Sequence, residues 1–282
     1  MSALRAASSA LVALLLGGAA GVGTAAATPP ERVVSINLCT DQLAMLLAAP
    51  GQLISVSHLA TDARSSAMAV EAAGWPANRG RAEDVYLLAP DLVLAGNHTT
   101  PATVEMLRRL GIAVEVFPHA TGFADVTAQL TRMGDVLGRE PEAAAAVAAF
   151  EAGLAALAGA PAADAPRAAL YQAGGWSSGR ASLPGEVLAA AGLANVASEL
   201  GLPAGGFLPL EVLVRAAPDL IVTGQPWPGA SRAEDRAAHP ALRDAGRAAA
   251  ALSDRDWVCG LPHLLGPVTA MTEMRRALEG GQ

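Results

Sequence analysis

Residues 89–96 read A-P-D-L-V-L-A-G and residues 217–224 read A-P-D-L-I-V-T-G. Their prolines, Pro90 and Pro218, stand 128 positions apart (218 minus 90), and Glu83 and Glu211 precede them by seven residues at the same offset. A looser match pairs 46–57 with 187–198. A chain that repeats glutamate, proline, aspartate and a terminal glycine at one spacing folds as two similar units. Each motif is a short apolar run of strand length closed by glycine, and proline keeps it separate from the helical stretch before it.

The surrounding segments agree. Arg32–Asn37, Leu53–Ser57, Leu92–Ala95 and Ile112–Val116 read as strands, alternating with helical stretches at 43–48, 83–88 and 100–110. The second half repeats the plan with strands at 167–171 and 220–223 and helices at 186–191 and 210–217. Alternation of this kind predicts an α/β fold with parallel sheets, here as two similar Rossmann-like lobes. A chain of 282 residues suits two domains. The expected boundaries are an N-terminal lobe at 28–124, a helical connector at 125–160 and a C-terminal lobe at 161–282. The connector breaks at Gly138 and resumes at Pro141 as an alanine-rich helix, long enough to act as a stiff strut.

Residues 1–27 have the pattern of a signal peptide: Arg5, the apolar stretch Leu11–Leu16, and Ala25-Ala26-Ala27 before Thr28. The apolar stretch is too short to span a bilayer, and no cysteine at the cleavage point invites lipidation. The expected location is the periplasm, with a mature chain starting near Thr28. A formal net charge of -7 and the absence of lysine leave no basic footprint for nucleic acid. Aromatic residues are only 4% of the chain, so each exposed one is a candidate for a special site.

In the order and spacing of R-V-V-S-I-N at 32–37, the twin A-P-D-L motifs, L-G-I-A-V at 110–114 and the connector helix, residues 31–280 resemble a known family. It is the helical-backbone substrate-binding proteins of ABC importers for vitamin B12, ferric siderophores and haem. The resemblance implies two α/β lobes joined by a long rigid helix, a ligand cleft between the lobes, no catalysis and no resident cofactor. It also implies a membrane permease as partner, docked through one glutamate per lobe, Glu83 and Glu211. Each carboxylate suits an arginine of a symmetric permease, although each also suits the dipole at the start of its own helix. A monomer is expected, carrying a metal-chelate ligand. A cobalamin-type corrinoid is favoured over a ferric siderophore or haem because few arginines flank the cleft, Arg79 and Arg180 being the exceptions if they face inward.

Ligands of open α/β sheets sit beyond the carboxyl ends of strands. That rule nominates Asn37, Cys39, Thr40 and Asp41 after the first strand, and Gly96, Asn97 and His98 after the N-lobe A-P-D-L strand. In the second lobe it nominates Tyr171 and Trp176, then Gln225 and Trp227. The two tryptophans offer flat apolar faces for a macrocycle, or else anchor their own loops; Trp75 and Trp257 are weaker candidates. His98 is a wall residue or a metal ligand. Cys39 and Cys259 both belong near the cleft edge. They form an inter-lobe disulfide, line the pocket as free thiols, or lie buried, and the family pattern does not choose among these.

Two other classes fit less well. Gly175-Trp176-Ser177-Ser178-Gly179 matches the nucleophile elbow of serine hydrolases, but Pro184 follows where a helix should run on. A zinc or manganese receptor needs several converging ligands, whereas His58, His98, His119, His239 and His263 are scattered.

Overall fold

The computed structural model describes residues 28–280 except 158, 160, 226–228, 230, 238, 246 and 247. The expected signal peptide and Trp227 lie outside the described residues. The N lobe opens with β1 (Val33–Ser35), α1 (Leu38–Leu47) and β2 (Leu53–Ser57). It continues with α2 (Ala69–Ala72), β3 (Ala77–Asn78) and α3 (Ala82–Leu87), then β4 (Leu92–Gly96), α4 (Pro101–Arg109) and β5 (Ala113–Phe117). Its five strands are parallel in the order β3-β2-β1-β4-β5. The central β1 and β4 are buried throughout, which is what continuous apolar runs achieve when helices cover both faces of a sheet.

Two helices lead out of this lobe, α5 (Phe123–Leu137) and α6 (Glu140–Leu157). The Asp125 carboxylate accepts from Thr121 N and Gly122 N at the start of α5, and Gly138, at φ 67°, ends it. The 18 residues of α6 span about 27 Å. α6 lies close along α5 because Gly134 has no side chain; a Cβ there would collide with Ala143.

The C lobe begins with β6 (Arg167–Tyr171), β7 (Trp176–Ser177), α7 (Leu183–Ala190), β8 (Ala194–Asn195), α8 (Val196–Glu199) and β9 (Gly206–Phe207). It ends with α9 (Leu210–Ala216), β10 (Leu220–Gly224), α10 (Arg232–Ala237), α11 (Pro240–Ala245), β11 (Ala248–Leu252) and α12 (Leu265–Gly280). Its main sheet is parallel in the order β11-β10-β6-β8, while β7 and β9 form a separate antiparallel ribbon. In each lobe the first strand is flanked on one side by the next main-sheet strand and on the other by the strand of the repeated motif. α12 packs on α6, with Gly153 of α6 against Leu265. One continuous apolar cluster therefore runs from the N-lobe sheet through α5 and α6 into the C lobe.

The repeated octapeptide is a clasp. Ala89 (φ 45°) and Ala217 (φ 46°) are the two non-glycine residues with positive φ among the described residues, and each turns the chain out of α3 or α9 toward its strand. An alanine in that region costs about 1–2 kcal/mol, and the same set of polar contacts holds it in both lobes. The Asp91 carboxylate accepts from Glu31 N at 2.7 Å and Arg32 N at 3.0 Å; that of Asp219 accepts from Arg167 N at 2.9 Å. The Arg32 guanidinium donates to Leu88 O at 2.6 Å and Ala89 O at 3.0 Å. Arg167 donates to Ala216 O at 2.7 Å and Ala217 O at 3.4 Å. Each motif thus ties the end of a helix, the start of its strand and the lobe's first strand together.

Candidate functional site

The strand order reverses between β1 and β4 in the N lobe and between β6 and β10 in the C lobe. The chain leaving neighbouring strands in opposite directions there opens a crevice at their carboxyl ends. In the N lobe that crevice is a cavity of about 400 Å³. It is lined by Asn37, Cys39, Thr40, Gly96, Asn97 and His98, together with Phe117, Pro118, His119 and Gln129, and Val258 reaches in from the C lobe. No carboxylate, guanidinium or ammonium lines it.

The floor is held by backbone capping. Asn37 precedes α1, and its Oδ1 accepts from Cys39 N at 3.0 Å and Thr40 N at 3.4 Å, satisfying two amides that a helix start leaves unpaired. Its side chain lies so close to Gly96 that a Cβ at 96 would sit 2.6 Å from it, which explains the glycine that closes β4. The turn that follows is pinned by Thr99 N to Gly96 O at 2.9 Å and Gly96 N to Thr99 Oγ1 at 3.1 Å. Asn97 N donates to Phe117 O at 2.9 Å, so His98 stands on a fixed support. The ring of His119, just beyond β5, lies 5.4 Å from that of His98, and Asn97 Nδ2 contacts its Nδ1 at 3.0 Å.

Asp41 does not reach the cavity, contrary to the expectation. It is wholly buried because the first turn of α1 faces β2, where its carboxylate accepts from Ser57 N at 3.0 Å and from Ser57 Oγ. Burial pushes its carboxyl up to about 6, against the hydrogen bonds from Ser35 and Ser57 and the charge of His58. The folded chain then holds this proton more tightly than the unfolded chain, whose value is 3.8. Stability from this group is present at low pH and is lost as pH rises through about 6, by at most about 3 kcal/mol. Melting temperatures of the native protein and Asp41→Asn should therefore diverge between pH 4 and 7, the native protein losing relative stability as pH rises. Parallel curves would show an unshifted carboxyl.

Tyr171 is also corrected. It is 1% exposed and packs with Val196, Leu208 and Leu213 inside the C lobe, because β6 is covered on both faces. Trp176, by contrast, is 49% exposed, and the antiparallel ribbon sets it directly across from Phe207, which is 56% exposed. Sequence reasoning missed Phe207, although the scarcity that singled out the tryptophans applies equally to it. Gln225 is exposed at the end of β10. Trp257 is buried and Trp75 donates its Nε1 proton to Leu53 O, so both are packing residues. Arg79 and Arg180 are exposed and do not line the N-lobe cavity.

The lobes also meet at the cleft. Cys39 and Cys259 are joined by a disulfide with their Cα atoms 5.2 Å apart. Beside it, Ser253 Oγ and Arg255 N donate to Arg64 O at 3.0 and 3.2 Å, and Arg255 Nη1 donates to Ala63 O at 3.2 Å. Glu83 and Glu211 are exposed in the first turns of α3 and α9. A roomier groove of about 670 Å³, rimmed by Glu83, Tyr86, Leu87 and Met106, lies between α3 and α4. It is away from the strand ends, so the smaller cavity is the better ligand site.

The hydrolase geometry is not met. Ser177 is 0% exposed, and its Oγ donates to Leu170 O at 2.6 Å. Among the described residues no three His, Cys, Asp or Glu side chains converge as a metal site, and no helix is long and apolar enough to cross a membrane.

Comparison with known proteins places this architecture. The chain is similar to the cobalamin-binding protein of Halobacterium salinarum, at 32% identity over 199 residues and 69% of the chain. The match spans 54% of that relative, so the chain covers about half the length of the curated relatives it matches. The periplasmic haem-binding protein RhuT from Roseiflexus sp. RS-1 shares the fold with a TM-score of 0.71 at 21% identity, covering 88% of this chain and 98% of that one. The periplasmic vitamin B12-binding protein BtuF of Vibrio cholerae does so with a TM-score of 0.66 at 16% identity, covering 89% and 98%. The model of the periplasmic binding protein family matches residues 33–250. With two parallel α/β lobes on a long connecting helix and a crevice at their switch points, this chain belongs to the periplasmic binding protein family.

Proposed function

We propose that this protein is the periplasmic receptor of an ABC importer, capturing a cobalamin-type corrinoid between its lobes and delivering it to a membrane permease. The observation that carries the ligand assignment is the cavity wall without a formal charge, which suits a largely neutral corrin better than a trianionic catecholate complex. The 32% identity to a cobalamin-binding protein supports the same choice. Asn37, Cys39, Thr40, Gly96, Asn97 and His98 form the N-lobe wall. Trp176 and Phe207, with Gln225, form the C-lobe wall, where an exposed aromatic pair receives a ring face. Haem is the second reading, favoured by the two imidazoles at the cavity.

Residues 1–27 direct export and are removed, and the mature monomer carries the Cys39–Cys259 disulfide in an oxidising compartment. Glu83 and Glu211 dock the two lobes onto permease arginines. The clasp supports this reading, because it gives α3 and α9 the same local frame.

The exported protein, mixed with cyanocobalamin and desalted, should carry the visible corrin bands in its elution peak. A colourless peak with both cyanocobalamin and dicyanocobinamide would sink the corrinoid assignment, and hemin is then the next ligand. The double variant Glu83→Arg/Glu211→Arg should keep ligand binding and abolish uptake; undiminished uptake would remove the docking role.

A further inference from the structure

Between β11 and α12 the C lobe lays one segment, 253–260, along the edge of the N-lobe cavity, and fastens it to three separate N-lobe segments. Ser253 Oγ and Arg255 N donate to Arg64 O at 3.0 and 3.2 Å, and Arg255 Nη1 donates to Ala63 O at 3.2 Å. Cys259 is bonded to Cys39 in the first turn of α1. Gly260 lies so close to Ala120, just ahead of α5, that a Cβ there would collide with it. Trp257, in the middle, is 4% exposed and roots the segment in the apolar cluster shared by the lobes. A turn shapes the remainder, with Ser253 N donating to Asp256 Oδ2 at 2.8 Å and Val258 N to Asp254 O at 2.9 Å. The segment is a preformed strap, and Val258, half exposed, is the part that meets the cavity.

These fastenings are unequal. The hydrogen bonds to Ala63 and Arg64 are exposed or only partly buried, so water replaces them at little net cost. The disulfide opens only by thiol exchange. The chain has just these two cysteines; Cys39 is half-buried and lines the cavity, and Cys259 is buried. Resting on the receptor reading above, we propose that residues 253–260 are a strap latched beside the ligand cavity by the Cys39–Cys259 bond. The oxidised receptor retains its ligand, and the reduced receptor exchanges it faster. The key is a dithiol reductant. One thiolate of the dithiol attacks a sulfur of the bond, the S–S bond breaks and a mixed disulfide forms, which the second thiol of the dithiol then displaces. The dithiol leaves as its own disulfide, having given two electrons and two protons, and Cys39 and Cys259 become free thiols. Reduction does not unseat the strap, because the contacts at Arg64 and the root at Trp257 remain. It raises how often the strap lifts.

The mature protein is compared in its oxidised form and after reduction by dithiothreitol with anaerobic desalting. In the ligand-free protein, reduction should quicken amide hydrogen exchange in 253–260 at least about tenfold and leave β4 and β10 unchanged. Cyanocobalamin loaded beforehand and chased with excess dicyanocobinamide should leave the reduced protein at least about tenfold faster than the oxidised one; hemin is the probe if no corrinoid binds. Cys259→Ser, which removes the latch and keeps Cys39 in the wall, should release the probe at the reduced protein's rate, before and after dithiothreitol alike. Equal dissociation from oxidised and reduced protein overturns the latch and leaves the receptor reading intact. So does exchange that quickens evenly through β4 and β10, since that marks a general loosening of the fold and not a strap that lifts. Native protein that binds neither corrinoids nor hemin overturns both.

Discussion

Replacing Cys39 and Cys259 together by serine is expected to cost the protein up to about 5 kcal/mol of stability. The bond closes a loop with a sequence separation of 220, and in the chain-entropy account a loop of that length restricts the unfolded state by about 5 kcal/mol at 25 °C. Measured values for native disulfides commonly fall at about 2–5 kcal/mol, since the denatured chain is already partly compact. The folded state should change little, because Arg64, Ser253 and Arg255 continue to join the lobes beside the bond. Urea unfolding of the oxidised protein and the serine pair measures the difference directly. A loss under about 1 kcal/mol, together with a native mass equal to that of the reduced protein, would mean that the bond does not form in solution.

The parallel strands were the most legible part of the fold. β4 and β10 are short, continuously apolar and bounded by proline and glycine, so length and punctuation mark them without any need for periodicity. The clasp was illegible for a definite reason. Arg32 and Arg167 are separated by 135 positions (167 minus 32), not 128, so the repeat read from the octapeptides slides past them. Only the pairing of β1 with β4 and of β6 with β10 reveals that both arginines serve the same carbonyls.

The site was legible as segments, less so as faces. The rule that ligands gather at strand ends found Asn37, Gly96, Asn97 and His98 because those segments leave the two strands at the switch point. It did not say which way a side chain turns, hence the burial of Asp41 beneath β2 and of Tyr171 inside the C lobe. Applied only to the central strands, it passed over His119 beyond the edge strand β5. Phe207 was invisible for another reason: it reaches the surface through a two-residue ribbon with β7, and strands that short carry no pattern.

Phe150→Ala is expected to destabilise the protein by about 3–5 kcal/mol. Phe150 lies near the middle of α6, is 1% exposed, and meets the ring of Phe123 edge-on with centroids 6.0 Å apart and planes at 66°. It belongs to the apolar cluster shared by both lobes, so the void left by truncation opens at the junction and not inside either lobe. α6 is rich in alanine and has few large side chains to close over the gap, which favours the upper part of that range. Because the lobes share this core, the native protein should unfold in one transition, seen equally by Trp75 in the N lobe and Trp257 in the C lobe. The variant should unfold at lower denaturant, with the two tryptophans reporting separated midpoints if the junction is what couples the lobes. A loss under about 1 kcal/mol with coincident midpoints would show that the lobes are coupled elsewhere, at the cleft-side disulfide and its neighbouring carbonyl contacts. The same shared core opposes wide hinge motion: opening the cleft far enough to disturb α6 would expose this cluster. Ligand capture should then proceed by small movements of the loops that follow the strands.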